Sequence, residues 1–229
     1  MTRDDIEIMA PVGSYESLQA AIQAGAGSVY FGVENLNMRS KSSSNFTLDD
    51  LKTITKYCCK HSIKSYLTLN TVLYNDDLDE MCTIIDTAKD SGITAIIASD
   101  IAAIQYARSV GMEVHISTQL NVSNIESLKF FSQFADVIVL ARELNLEQIR
   151  EISDSIRKEN IKGPSGQPVK IELFVHGALC MAISGKCYLS LHEKNHSANR
   201  GKCLQICRRS YIAKDKDTER ELEIDNEFL

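Results

Sequence analysis

The 229-residue sequence contains no apolar run long enough to span a bilayer and no charged-then-apolar leader at its start. A membrane span and a secretory signal are therefore excluded as expectations, and the chain is expected to work in the cytoplasm. A dinucleotide loop is missing too. After the first apolar run, Ala10-Pro11-Val12-Gly13-Ser14 lacks the G-x-G-x-x-G spacing, and Gly25-Ala26-Gly27 reads as a helix cap and turn. There is no G-x-S-x-G elbow and no H-E-x-x-H helix, so a peptidase would need another nucleophile or another metal-activated water. Positive charge is also in deficit: 25 Lys and Arg stand against 31 Asp and Glu, a net charge of −6 that excludes a uniformly basic nucleic-acid coat.

What is present is an ordinary globular composition, 44% hydrophobic and 24% charged, long enough for one large domain or two small ones. It includes seven cysteines, which in a reducing compartment point to metal binding or catalysis before disulfides. The cations are not evenly spread. Between His176 and Tyr211 stand Lys186, Lys194, Arg200, Lys202, Arg208 and Arg209 against Glu193 alone, a local charge of +5 that leaves −11 for the rest. This basic island suits an anionic partner, and equally a solvated basic face.

Short apolar runs alternate with amphipathic stretches. The runs cover residues 6–10, 28–33, 63–69, 94–98, 113–116, 136–140 and 170–175, several of them continuous strings of the kind seen in strands covered on both faces. Helical patterns with start signals lie between them, at 15–24, 48–61, 76–90, 101–110, 125–134 and 146–160, and residues 163–168 make a loop. Seven β-then-α units imply a parallel sheet with right-handed crossovers. Without a dinucleotide loop, the expected fold is α/β, a TIM-type (β/α) barrel. Barrels of this type need eight strands. Residues 223–229 read as the start of an eighth strand cut short, so the expected divisions are barrel units over 1–175, a Cys-rich basic insertion over 176–211 and a truncated strand region over 212–229.

The active site of such a barrel lies at the C-terminal strand ends. There the sequence places Pro11 and Gly13; Glu34, Asn37 and Arg39; Asn70; Ser99 and Asp100; Ser117, Gln119 and Asn121; Arg142 and Glu143; then His176, Gly177 and Cys180. The two arginines suit a carboxylate, whose oxygens match a guanidinium fork. Asp100, Asn124 and Asn145 read as helix caps. His115, His192 and His196 read as solvated or hydrogen-bonded histidines.

Cys58, Cys59 and Cys82 fall on helices and read as core thiols. The other four are spaced Cys180-x6-Cys187-x15-Cys203-x3-Cys207 inside the basic segment. Four soft thiolates with cations to offset them suit an iron–sulfur cluster. Zinc is the alternative, although Cys180 and Cys187 are wider apart than its usual pairs. A rival reading makes Cys180 a nucleophile with His176 as its base, and leaves three cysteines unexplained.

Glu172-Leu-Phe-Val-His-Gly-Ala-Leu-Cys180, Ser184-Gly-Lys-Cys187-Tyr-Leu-Ser190 and Asn199-Arg-Gly-Lys-Cys203-Leu-Gln-Ile-Cys207 closely resemble the cysteine blocks of the collagenase-like peptidases, family thirty-two of the unclassified peptidases. Ala10-Pro-Val-Gly13, the glycine-rich run from Ala24 to Gly32 and Ser117-Thr-Gln119 resemble that family's strand ends. The resemblance implies a 4Fe-4S cluster on Cys180, Cys187, Cys203 and Cys207. It also implies oxygen-independent hydroxylation of RNA bases or quinone precursors, in one branch of a tRNA wobble uridine with prephenate, in another of a ribosomal cytidine. On that basis RNA is the expected partner, tRNA before rRNA. Arg39 and Arg142 are candidates to hold the carboxylated donor, and Gln119, Glu172 and His176 are further candidates for the reaction. Aromatic platforms for a base are few, Tyr188 and Tyr211 being the nearest. The alternatives are a peptidase, as the family's older name has it, and a cluster-bearing scaffold that needs a partner subunit.

Overall fold

The computed structural model describes residues 6–38, 40, 46–177 and 180–224. Seven strands, β1 (Met9–Pro11), β2 (Ser28–Gly32), β3 (Lys64–Leu69), β4 (Ala95–Ala98), β5 (Glu113–Ile116), β6 (Val137–Val139) and β7 (Lys170–Glu172), form one sheet in sequence order, every neighbouring pair parallel. The connecting helices are α1 (Tyr15–Gln23), α2 (Leu51–Lys60), α3 (Leu78–Ser91), α4 (Ile101–Ser109), α5 (Ile125–Ser132) and α6 (Leu146–Lys158). All seven apolar runs and all six helical patterns expected from the sequence are thus elements.

Their starts follow local chemistry. Asp100 accepts from the backbone N–H of Ala102 at 2.9 Å, Asn124 from that of Ser127 and Asn145 from that of Gln148, so all three are the caps their positions suggested. At the other end of α3, Gly92 takes φ +83°, the left-handed conformation that closes a helix without a Cβ clash.

The two faces of the sheet differ. Val29, Phe31, Leu67, Leu69, Ile96, Ala98, Val114, Ile116 and Ile138 point to the helices and form the main core with residues such as Leu18, Leu51, Ile84, Ile104 and Leu128. The alternate residues point inward, where Tyr66, Ala95 and Ile97 pack with Met9 and Tyr30. Charge is concentrated on this inner face. Lys64 donates to Glu7 at 2.5 Å, and Tyr66 donates to the other oxygen of Glu7 at 2.6 Å. The Tyr66 ring lies 4.6 Å from that of His115, and His115 faces Glu172.

These contacts prove the curl. Laid flat, seven strands about 4.8 Å apart would hold β1 and β7 roughly 29 Å from each other. Yet Tyr66 on β3 bonds Glu7, just before β1, and meets the His115 ring of β5 at 4.6 Å, while His115 faces Glu172 of β7 at 3.9 Å. The sheet is therefore curled into a half-barrel, with odd-numbered strands contributing side chains to shared interior layers.

The tail departs from expectation. Tyr211–Lys214 (β8) and Glu221–Ile224 (β9) pair antiparallel as an exposed hairpin, with no pairing to the seven-stranded sheet among the described residues. Glu223 and Ile224, expected to open an eighth barrel strand, belong to that hairpin, and residues 225–229 lie outside the described residues. The turn at 215–220 explains it: Asp215 accepts from the N–H groups of Asp217 and Thr218, which reverses the chain locally. Cys59 is a second correction. Cys58 and Cys82 are buried and half-buried, but Cys59 is exposed, because its neighbour on α2 takes the inward position.

Candidate functional site

The segment after β7 folds back over the C-terminal ends of the strands and is fastened there at two places. On one side Ser184, fully buried, donates through its hydroxyl to Asn121 at 2.7 Å, and its backbone N–H donates to Glu143 at 3.1 Å. On the other side the Asn199-Arg200-Gly201 turn docks on the loops after β2 and β3. The Val72 N–H donates to the Asn199 carbonyl at 3.0 Å, and Arg200 donates to the Val72 carbonyl at 2.8 Å. Arg200 also pairs with both oxygens of Asp77 and lies 4.3 Å over the Tyr74 ring. Gly201 has φ +78°, and a Cβ there would lie 2.5 Å from the Asn37 carbonyl, so close docking needs glycine.

This fastening sets the thiols. Cys187 donates its backbone N–H to the Asn199 side chain at 3.0 Å, and its sulfur accepts from the Leu189 N–H at 3.3 Å. A short helix, α7 (Leu189–Lys194), carries Ser190, whose hydroxyl receives the Leu204 N–H at 3.1 Å beside Cys203. Burial pushes the Cys207 thiol up, and negative charge on Cys180, Cys203 and Cys187 raises it further against the pull of Arg208. All four thiols are half-buried within this fastened segment. They are not drawn into a chelate, since no group of three or more described His, Cys, Asp or Glu side chains is gathered to hold one metal ion. The donor set suits a soft thiophilic metal group, and the loop would have to tighten around it.

At the rim beneath, Asn70 accepts from the Met38 N–H at 3.1 Å and reaches Gln119 at 3.4 Å; Ser117 donates to the same Gln119 oxygen. Gln119 in turn lies against Gly185 of the cysteine segment. The Arg142 guanidinium lies 5.9 Å from the Phe174 ring, with its Nε buried and unbonded among the described residues. A buried guanidinium N–H without an acceptor is a ready anion contact. His176 is exposed, and no hydrogen bond joins it to Cys180 among the described residues. Arg39 lies outside the described residues. Glu172 ends β7 facing His115 in the interior, and its desolvation holds its carboxyl above the usual carboxylate range, partly countered by His115.

The quartet, Gln119 and Arg142 therefore come from separate strand ends to one end of the barrel, whereas Glu172 faces His115 in the interior. The two fastenings and the facing of His115 and Glu172 went unread in the sequence. A signal existed for each: Asn199-Arg200-Gly201 immediately precedes Lys202-Cys203, and Lys64-x-Tyr66, Glu113-x-His115 and Lys170-x-Glu172 repeat a polar alternation on one strand face.

A profile of Peptidase family U32 matches residues 13–229. The chain belongs to peptidase family U32. This U32 chain is 62% identical over its whole length to a Porphyromonas gingivalis protein named Collagenase, of which it covers 55%. It is 34% identical to the Bacillus subtilis tRNA hydroxylation protein P1, matching 90% of this chain and 46% of that one. To an Escherichia coli 23S rRNA 5-hydroxycytidine synthase it is 35% identical over 92% of its own length and 30% of the relative's. The U32 chain thus spans about half the length, or less, of these curated relatives. Among solved structures, the U32 peptidase Mk0906 superimposes with a TM-score of 0.56 at 14% identity, covering 73% of this chain and 66% of that one, a likeness of fold. No helix among the described residues is long and apolar enough to cross a membrane.

Proposed function

We propose that this chain is the barrel portion of an RNA-modifying enzyme that hydroxylates a pyrimidine base without oxygen, in tRNA before rRNA, in the cytoplasm. The observation that carries this reading is a basic segment, fastened over the strand ends, that carries the half-buried thiols of Cys180, Cys187, Cys203 and Cys207. The names of the relatives from Bacillus subtilis and Escherichia coli support the substrate class. The curl of the sheet supports a TIM-type barrel as the full architecture, with 176–211 as the cluster-bearing segment.

In this reading the four cysteines hold a 4Fe-4S cluster, which supplies one-electron chemistry when bound. The protein's own residues do the rest. Arg142 holds one carboxylate of the oxygen donor, for which prephenate has the right chemistry, through the Nε–H that is unbonded here. Gln119 and Asn70 present amides that orient a polar substrate edge. Lys186, Lys194, Lys202, Arg208 and Arg209 meet the phosphates. Nucleoside mass spectrometry of tRNA and rRNA from a deletion strain tests the reading. Loss of one hydroxylated pyrimidine is expected, and unchanged digests overturn it.

A peptidase is the second reading, favoured by the name of the 62%-identical relative. Gelatin cleavage by iron-free protein, abolished in Cys180→Ala, would establish it.

A further inference from the structure

The outer, helical layer carries a groove that the proposed reaction does not use. It lies between α1 and α2, holds about 460 Å³ and is lined by Tyr15, Gln19, Thr53, Lys56, Tyr57 and Lys60. Tyr15 opens α1 and closes one end of the groove. Its ring meets Phe46 edge-on at 5.3 Å, and its hydroxyl crosses to the start of α2, donating to Asp50 at 2.7 Å. Phe46 bridges to Val33, just past β2, so this end adjoins the Asn35–Asn37 loop on which Gly201 of the cysteine segment is docked. From there Thr53, Tyr57 and Lys60 follow at about one-turn intervals down α2, and the His61 ring lies 5.0 Å from that of Tyr57.

The charge of this face sets it apart. Lys52, Lys56 and Lys60 stand four residues apart on α2, all exposed, with no acidic residue between Leu51 and Lys60. Like charges at that spacing destabilise a helix, and solvated faces normally interleave the two signs. Elsewhere in the helical layer cations are paired, Lys129 with Glu126 and Glu159, and Arg157 with Asp154. The three α2 lysines have no ion-pair partner among the described residues. Asp50, at the upper end of the groove, is already bonded by Tyr15 and by the Thr47 N–H. Successive lysines rise about 6 Å along the axis, which makes a cationic stripe about 12 Å long beside the two tyrosines.

We infer that the α1–α2 groove holds a single-stranded stretch of RNA, with bases against Tyr15 and Tyr57 and phosphates along Lys56 and Lys60. Rings and cations together select this occupant. Every base has a π face to lay on a tyrosine, and every linkage carries a negative charge, so a stacking surface beside a cationic stripe binds a strand without reading its sequence. Tyr15 is 44% exposed, which leaves part of its ring free to stack. An acidic peptide would answer the lysines and leave the rings without a partner. An anionic membrane takes up apolar groups that project, whereas these rings line a recess. The groove starts beside the docked +5 segment, so a strand engaged there continues into it. That the strand belongs to the substrate rests on the function proposed above; the groove rests on its own lining.

The test crosslinks the full-length protein by light to a single-stranded oligouridylate that carries 4-thiouridine, and maps the joined peptides by mass spectrometry. Crosslinks within residues 15–19 or 53–61 are expected, and crosslinks confined to other segments overturn the groove. A second arm titrates the same oligonucleotide against salt. Lys56→Gln with Lys60→Gln, both on the exposed surface, is expected to weaken binding about tenfold at low salt. It should also reduce the slope of log affinity against log salt by about 1.4, the share of two single-strand phosphates. Tyr57→Leu is expected to weaken binding about tenfold and Tyr57→Phe to restore it, since stacking uses the ring and not the hydroxyl. Unchanged affinity and slope in the lysine pair overturn the proposal. So does binding of polyglutamate or of phosphatidylserine vesicles that matches that of the oligonucleotide and is lost in the same pair. The two readings fail separately: unchanged nucleoside digests remove the proposed function, while the crosslinks and the slope still decide the groove.

Discussion

Arg200 is the side chain with the most to lose. It bonds the Val72 carbonyl and both Asp77 oxygens while covering the Tyr74 ring, and it stands between the residue that holds Cys187 and the one that packs on Asn37. Hydrogen bonds between charged groups at a part-buried site contribute roughly 1.5–3 kcal/mol, so Arg200→Met should release the segment locally without unfolding the barrel. Limited proteolysis should then cut between 180 and 210 much faster than in wild type, while the far-UV signal stays constant. Lysine cannot reproduce a bidentate fork, so Arg200→Lys should rescue little of this protection. The same pair responds to pH. The Arg200 guanidinium holds Asp77 below the ordinary aspartate range, so its contribution is complete above that range. It is lost as pH falls through the depressed value in the folded state. Protease protection of the segment should therefore persist at pH 5 and fail only in stronger acid, and Asp77→Asn should lack that acid transition.

Among the elements, those with a strong period were legible and the others were not. Helix α6 shows this clearly. Asn145 accepts from the Gln148 N–H at 2.9 Å, and the Gln148 side chain accepts from the Asn145 N–H at 2.9 Å, a reciprocal cap that its sequence announces. Asn145→Ala should cost about 1 kcal/mol in chemical denaturation, and Asn145→Asp should cost little. The β8–β9 hairpin is the opposite case. Its residues are all exposed, so no buried face imposes an apolar alternation, and the chain there reads equally as a strand of the main sheet or of a local pair. The site was legible in the same uneven way. The cysteine quartet is local in sequence and could be read. Arg200 on Asp77 and His115 facing Glu172 join residues far apart in the chain, which only the closed sheet brings together.

For the whole molecule, the sign of the charge is arranged by position. The interior alternates Glu7, Lys64, Glu113 and Lys170 at its N-terminal end, where the charges largely answer one another. The other end carries the +5 segment, on a body that otherwise carries −11. On the proposed function, a body of this net charge disfavours RNA and the cap attracts it, so the field orients an approaching strand toward the strand ends. The cap's cations are not all equivalent. Arg200 is consumed by Asp77, whereas Lys202 and Arg209 are exposed and without a salt bridge among the described residues. Reversing these two, Lys202→Glu with Arg209→Glu, should weaken RNA binding by similar factors for different sequences, because phosphate contacts are blind to bases. It should also reduce the slope of log affinity against log salt by roughly 0.7 for each single-strand phosphate that is no longer neutralised. Reversing Lys158 and Lys162 at the far end of the barrel should leave that slope as it is. Equal weakening by the two pairs in a salt titration would mean that net charge alone, and not the cap, attracts the RNA.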